Sequence, residues 1–264
     1  RVLFRSMTLP PRFWRRHAIW PALAFLLVAA GFAATDLDEV VTRAWAFDAG
    51  TGHFIGSGAG AWWAKDLIHA AGGRAVRVLG GGVVLLWAAT FVHVPLRRWR
   101  RPAGYVVLSV ALGAGLVGVL KQITNVDCPW SLAAFGGDWP HVGLFADRPD
   151  HYPRAQCFPG GHSSSGFALF AVYFLMLGRK TVLARLALAA ALLVGAAFAV
   201  GQEARGAHFL SHDLWSAAIV WFSCLTVYTA GYRGQVWDAG VSPDTAAPKS
   251  GMSPIHPIQR AIHS

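Results

Sequence analysis

Apolar residues along this chain run in long blocks, not in the alternation of a half-buried strand or the single stripe of a surface helix. Six stretches approach the roughly 20 residues that a bilayer crossing needs. They are Ala18 to Ala34, Ala75 to Val94, Gly104 to Leu120, Gly166 to Leu177, Val182 to Gly201 and Leu214 to Tyr232. The pattern predicts an all-α, six-transmembrane-helix integral membrane bundle over residues 7–233. The fourth stretch is short unless it begins near His162, which places polar residues in its first turn at the membrane surface. The first stretch follows basic residues, as a signal peptide does. Its length, with no soluble domain behind it, favours a retained span.

Composition agrees with the pattern. The 264 residues are 55% hydrophobic and only 14% charged, too apolar for an ordinary soluble domain. The formal charge of +10 would suit nucleic acid, but the basic residues punctuate apolar runs instead of forming one face, so no nucleic-acid partner is expected. Placing the N-terminus inside puts Arg12, Arg15, Arg16, Arg97, Arg98, Arg100, Arg101, Arg179, Lys180 and the tail from Arg233 on one side, as the positive-inside rule requires. Arg74 and Arg77 fall near an outer end, against that trend. The outer connections are then about Thr35 to Arg74, Lys121 to Gly161 and Gln202 to Asp213. Trp45, Phe47, Phe54, Trp62 and Trp63 in the first of them predict short interfacial helices. Residues 1–6, RVLFRS, precede Met7 and read as a non-native leader. Residues 234–264 read as a disordered cytoplasmic tail.

Three polar clusters interrupt the apolar background: Lys121 to Pro129, Pro159 to Ser165 and Gln202 to Asp213. The six-span topology, which was set without them, puts all three on the outer side. In PGGHSSSG, Gly160 and Gly161 allow backbone N–H groups close to a ligand, and a helix start favours an anion such as phosphate. The plainer reading is a helix start capped by Ser163 or Ser164. ARGAHFLSHDLW offers Arg205, His208, His212 and Asp213. Histidine is a nucleophile toward phosphorus, and an adjacent carboxylate fixes its tautomer. If that segment is helical, His208 and His212 share a face and Asp213 is rotated away. Lys121 closes an apolar run, where a charge is useful, paired or snorkelling to headgroups.

In order and spacing these clusters resemble the three-part signature of the type 2 phosphatidic acid phosphatase superfamily. That pattern is Lys, six residues, Arg-Pro; then Pro-Ser-Gly-His; then Ser-Arg, five residues, His, three residues, Asp. KQITNVDCP keeps Lys121 and Pro129 with Cys128 in place of arginine. PGGH keeps Pro159, Gly161 and His162 with Gly160 in place of serine. The third part keeps His208, with Gln202 at the arginine position, Arg205 one turn nearer, His212 at the aspartate position and Asp213 next to it. The resemblance implies that His208 attacks phosphorus to form a phosphohistidine and that His162 protonates the leaving oxygen, then helps activate water. It implies a phosphate-binding set of Lys121, Arg205, Gly160, Gly161 and Ser163. Asp213 or His212 orients His208. Arg148, Arg154 and Arg205 are the candidates to replace the missing arginine. The mechanism calls for no metal and no cofactor.

The implied partner is a phosphorylated membrane lipid of the lipid A, undecaprenyl diphosphate or phosphatidylglycerol phosphate type. The implied location is a bacterial-type inner membrane, with the site facing the periplasm. Transfer of the phosphoryl group to a second lipid, and a non-catalytic transporter or scaffold that binds an anionic headgroup, are the alternatives. Cys128 and Cys157 both lie in the second outer loop, and in an oxidising compartment a disulfide between them would hold Lys121 near His162. The same loop, with Trp130, Phe135, Trp139, His141 and Tyr152, reads as a cover for the site or a contact for a headgroup.

Overall fold

The computed structural model describes residues 9–144 and 146–237; the leader at 1–6 and residues 238–264 of the expected tail at 234–264 lie outside them, whereas at the start of that tail Val236 is buried and Trp237 packs on the bundle. Its main helices are α1 (Pro11–Ala34), α2 (Leu37–Trp45), α3 (Trp63–Val92), α4 (Arg100–Thr124), α5 (Gly161–Phe167), α6 (Phe170–Met176), α7 (Thr181–Ala204) and α8 (Leu210–Thr226). A two-stranded hairpin, β1 (Phe47–Asp48) and β2 (His53–Phe54), pairs Phe47 with Phe54. Among the described residues five helical stretches are long and apolar enough to cross a membrane: α1, α3, the stretch Val94–Ser131 that contains α4, α7, and Leu210–Gly231 that contains α8.

The fourth predicted span differs. It is divided between α5 and α6, which meet at a tightened turn where Leu169 N–H donates to Gly166 O and Ala171 N–H to Ala168 O. Neither piece has the length of a crossing helix. The pair nevertheless runs from one end of the bundle to the other. Gly160, just ahead of α5, donates to His212 O at one end. Leu175 O of α6 accepts from Trp237 Nε1 at the other, where Trp237 also meets Trp99 and Arg179.

Burial explains why α6 is apolar throughout. Phe170, Ala171, Tyr173, Phe174 and Leu175 of α6 are all buried among α4, α7 and α8, and a helix surrounded on every side must be hydrophobic on every side. By contrast α1 and α3 form the outer ring, leaving Leu23, Leu26 and Leu27, and Val78, Leu79 and Leu85, exposed. Basic residues gather at the Trp237 end: Arg101 donates to Gln235 O there, and Arg179 stacks on Trp237.

At the opposite end α2 and the hairpin lie over the turn between α7 and α8. Gly56 N–H donates to Ala204 O, and Phe47, Phe54, Phe135 and Phe209 form an aromatic cluster. One short helix is therefore present where interfacial helices were expected, but Phe47 and Phe54 pack inward on protein instead of lying at headgroup depth. The second span begins at Trp63, well before Ala75, because the first part of α3 is a wide π-type stretch from Trp63 to Gly72 that continues directly into its α-helical part, Gly73–Val92.

Candidate active site

Backbone hydrogen bonds stitch the three polar clusters together at the end capped by α2. Helix α4 stops where Asn125 takes the left-handed conformation at φ 51°, and the chain beyond it pairs with residues 154–158. Ala155 N–H donates to Asn125 Oδ1 at 2.8 Å, Cys157 N–H to Val126 O at 3.1 Å and Thr124 Oγ1 to Phe158 O at 2.9 Å. Cys128 and Cys157 form a disulfide across the same pairing, with Cα atoms 5.1 Å apart. The third cluster joins through Trp130 N–H to Gly206 O at 3.0 Å and Gly160 N–H to His212 O at 3.1 Å. Lys121, in the last turn of α4, donates to Gln156 O at 2.8 Å, which leaves two N–H donors on its ammonium group.

His208 lies on the non-helical approach to α8, which starts only at Leu210. The expected helical relation between His208 and His212 is therefore absent, because the turn Arg205 to Phe209 separates α7 from α8. His208 is 6% exposed, and its Nδ1 is 2.7 Å from Cys157 O. A carbonyl oxygen only accepts, so Nδ1 carries the proton and Nε2 keeps its lone pair. Neither Asp213 nor His212 bonds to His208 among the described residues; the His212 ring centroid lies 5.9 Å away. Burial, with His212 and Lys121 nearby, holds the His208 imidazole well below the usual histidine range, which keeps it neutral.

Asp213 is turned toward Ser163; the expectation that it rotates away from a face shared by His208 and His212 assumed a helix through His208, and α8 starts only at Leu210. It is 2% exposed, and its Oδ1 accepts from Ser163 Oγ at 2.5 Å. A side chain built on Gly160 would place Cβ 2.1 Å from Asp213 Oδ1 and 2.5 Å from Ser163 Oγ. Two departures from the family pattern thus have one cause: the Asp213 carboxyl occupies the volume beside residue 160 where the pattern has a serine. The Ser163 hydroxyl is committed to this carboxyl, so only its backbone N–H is left for a ligand. Gly161 lies against Lys121, with a Cβ there 3.2 Å from Lys121 Cε. The first N–H groups of α5 precede its first internal bond, Ser164 N–H to Gly160 O, and have no acceptor within the helix.

His162 stacks on His69 of α3 with ring centroids 4.1 Å apart. His69 Nδ1 lies 2.9 Å from Gln202 Nε2, and Gln202 Oε1 accepts from Arg205 NH1 at 2.9 Å. The arginine therefore reaches back one turn onto the residue at the family's arginine position. The other two candidates for the missing cation are held elsewhere. Arg148 makes a fork with both oxygens of Asp127, and Arg154 donates to Gln122 O.

A family model described as the PAP2 superfamily matches residues 102–235, just over half of the chain. The chain belongs to the PAP2 superfamily. Phosphatase action on phosphate esters is the chemistry this membership carries, and the matched segment contains all three polar clusters. No curated protein and no solved structure matches the chain.

Within this PAP2 member two partners escaped the motif reading. The Cys157 carbonyl, being backbone, leaves no trace in residue identity. His69 left little more: read as part of the outer connection ahead of a span starting at Ala75, beside Lys65 and Asp66, it is one polar residue among several.

Proposed function

We propose that this protein is a six-span phosphatase that hydrolyses a lipid-linked phosphate or diphosphate at the periplasmic face of a bacterial-type inner membrane, through a phosphohistidine on His208. The observation that carries the reading is the His208 geometry: Nδ1 is tied to Cys157 O, which leaves Nε2 as a neutral nucleophile. Lys121 and His162 are close enough to act electrostatically on that ring.

In the first step the Nε2 lone pair of His208 forms a bond to phosphorus as the bond to the leaving oxygen breaks, and His162 gives that oxygen its proton. Lys121, Arg205 and the N–H group of Gly161 face the charge on the non-bridging oxygens, where preorganised donors act most strongly; the Gly160 N–H, expected among these donors, is bonded to His212 O instead. In the second step His162 takes a proton from water, the water oxygen bonds to phosphorus, the P–N bond breaks and inorganic phosphate leaves.

The Cys157 carbonyl does the orienting work assigned from the motif to a carboxylate. Its own place is fixed by the Val126 bond and the link to Cys128. A lipid substrate is supported by an apolar groove of about 280 Å³ between α1 and α8, lined by Phe25, Val28, Leu214, Ala218 and Trp221. It reaches Leu214, the neighbour of Asp213. The basic end around Arg101 and Arg179 supports an inward orientation for that end.

Phosphate release from octyl phosphate and from a panel of lipid phosphates tests the reading. His208→Ala is expected to lower turnover at least about 10³-fold. Radiolabelled phosphate is expected on the parent protein, but not on the variant, after rapid quenching into alkaline detergent. Undiminished turnover in His208→Ala would exclude the mechanism.

A further inference from the structure

His69 belongs to none of the three motif segments, yet its ring lies nearly flat on the ring of His162, 4.1 Å between centroids and 26° between planes. Its rotation is set from the far side. An arginine only donates, so the Gln202 oxygen faces Arg205 and the Gln202 amide nitrogen must donate to His69 Nδ1. His69 is therefore the tautomer protonated on Nε2. The approach of α3 to α7 that permits this depends on two glycines. A Cβ on Gly72 would meet the Phe198 ring at 2.7 Å, and one on Gly201 would meet Ile68 at 2.5 Å.

The geometry points to His69 as a positioning residue for His162, at the end of a chain Arg205–Gln202–His69 that ties the phosphate-binding arginine to the proton donor. This rests on the phosphatase reading above. A phosphate that engages Arg205 pulls on the same side chain that holds Gln202, so occupancy of the site and alignment of His162 are mechanically linked. A stacked ring fixes its neighbour's plane and height, and small displacements of a proton donor are costly in rate.

Leaving-group chemistry separates positioning from simple structural support. An alkyl alkoxide needs a proton to depart, whereas p-nitrophenolate does not. Replacing His69 by alanine is expected to lower the rate of phosphoenzyme formation, read by rapid quench, about tenfold with octyl phosphate and less than about twofold with p-nitrophenyl phosphate, while the water-dependent second step slows alike for both. In a His162→Ala background the same replacement is expected to add almost nothing, because the residue it positions is gone. If His69→Ala does not fold, His69→Phe keeps the stacked ring but leaves Gln202 without its acceptor, and the same selectivity for alkyl leaving groups is expected at smaller amplitude. Equal losses in phosphoenzyme formation from the two substrates, or losses that multiply independently with those of His162→Ala, would overturn the proposal. A parent protein that releases phosphate from neither substrate would instead sink the phosphatase reading.

Discussion

Restoring the family's serine at residue 160 should damage this protein, and the structure says by how much. In Gly160→Ser the new Cβ would sit 2.1 Å from Asp213 Oδ1 and 2.5 Å from Ser163 Oγ, well inside van der Waals contact. Neither neighbour is the free end of a flexible side chain: both are buried and bonded to each other at 2.5 Å. The backbone is equally constrained, since Gly160 N–H donates to His212 O and Gly160 O accepts from Ser216 Oγ at 2.8 Å. Overpacking costs about 1–3 kcal/mol, and breaking the Ser163–Asp213 bond costs roughly another 1–3 kcal/mol. A total of about 2–6 kcal/mol corresponds to a fall in Tm on the order of 4–24 °C. Asp213→Ala removes the obstacle, so the double variant Gly160→Ser/Asp213→Ala should regain part of the loss, with a coupling of about 1–3 kcal/mol. Thermal unfolding of detergent-solubilised protein, followed by tryptophan fluorescence across the four-member cycle, measures both quantities. A Gly160→Ser protein as stable as its parent, or losses that simply add, would refute the steric account.

Reduction of the Cys128–Cys157 link, or Cys128→Ser, is expected to cost about 3–4 kcal/mol for a loop closed over a separation of 29 residues. It should also slow phosphoenzyme formation more than it weakens phosphate binding, which rapid-quench kinetics and phosphate inhibition read separately. Asp38 accepts from Ser211 N–H at 3.0 Å and from Ser211 Oγ at 2.5 Å, capping the start of α8 from another helix; Asp38→Ala is expected to cost about 0.5–2 kcal/mol in thermal unfolding. Acidification should also destabilise the protein through His208. Below the usual histidine value of 6.5 the unfolded chain binds a proton that the folded chain, with its pKa held well below that, refuses, so stability is lost as pH falls from about 6.5 toward the depressed value. A Tm profile over pH 7 to 5 that is less steep in His208→Gln than in the parent checks the assignment.

Much of the fold was legible along the chain because a membrane imposes a length and a polarity on whatever crosses it. The blocks around Ala18–Ala34, Val182–Gly201 and Leu214–Tyr232 fall on α1, α7 and α8. The block Gly166–Leu177 does begin near His162, as its shortness suggested, but it is divided between α5 and α6, neither long enough for a crossing helix, and the break at Ala168 and Leu169 carries no glycine or proline to announce it. The aromatic residues of the first outer connection were legible as a group but not in direction. Phe47 and Phe54 have a buried surface to meet only because Phe135 and Phe209 are brought beneath them.

Residue identity and spacing by themselves singled out the candidates for a site: Lys121, His162, Arg205, His208, His212 and Asp213 lie in three short segments at the ends of apolar runs. Only the tertiary structure decided how they connect. The pairing of residues 124–128 with 154–158 delivers a backbone carbonyl to His208. The packing of Asp213 against Gly160 turns the carboxylate toward Ser163, and the close approach of α3 to α7 brings His69 under His162. The division has a physical reason. Transfer from water to lipid is a sum over local residues, so it can be read along the chain. A hydrogen bond between segments far apart in sequence depends on a direction and about 3 Å of reach, and neither is written in the identity of either partner.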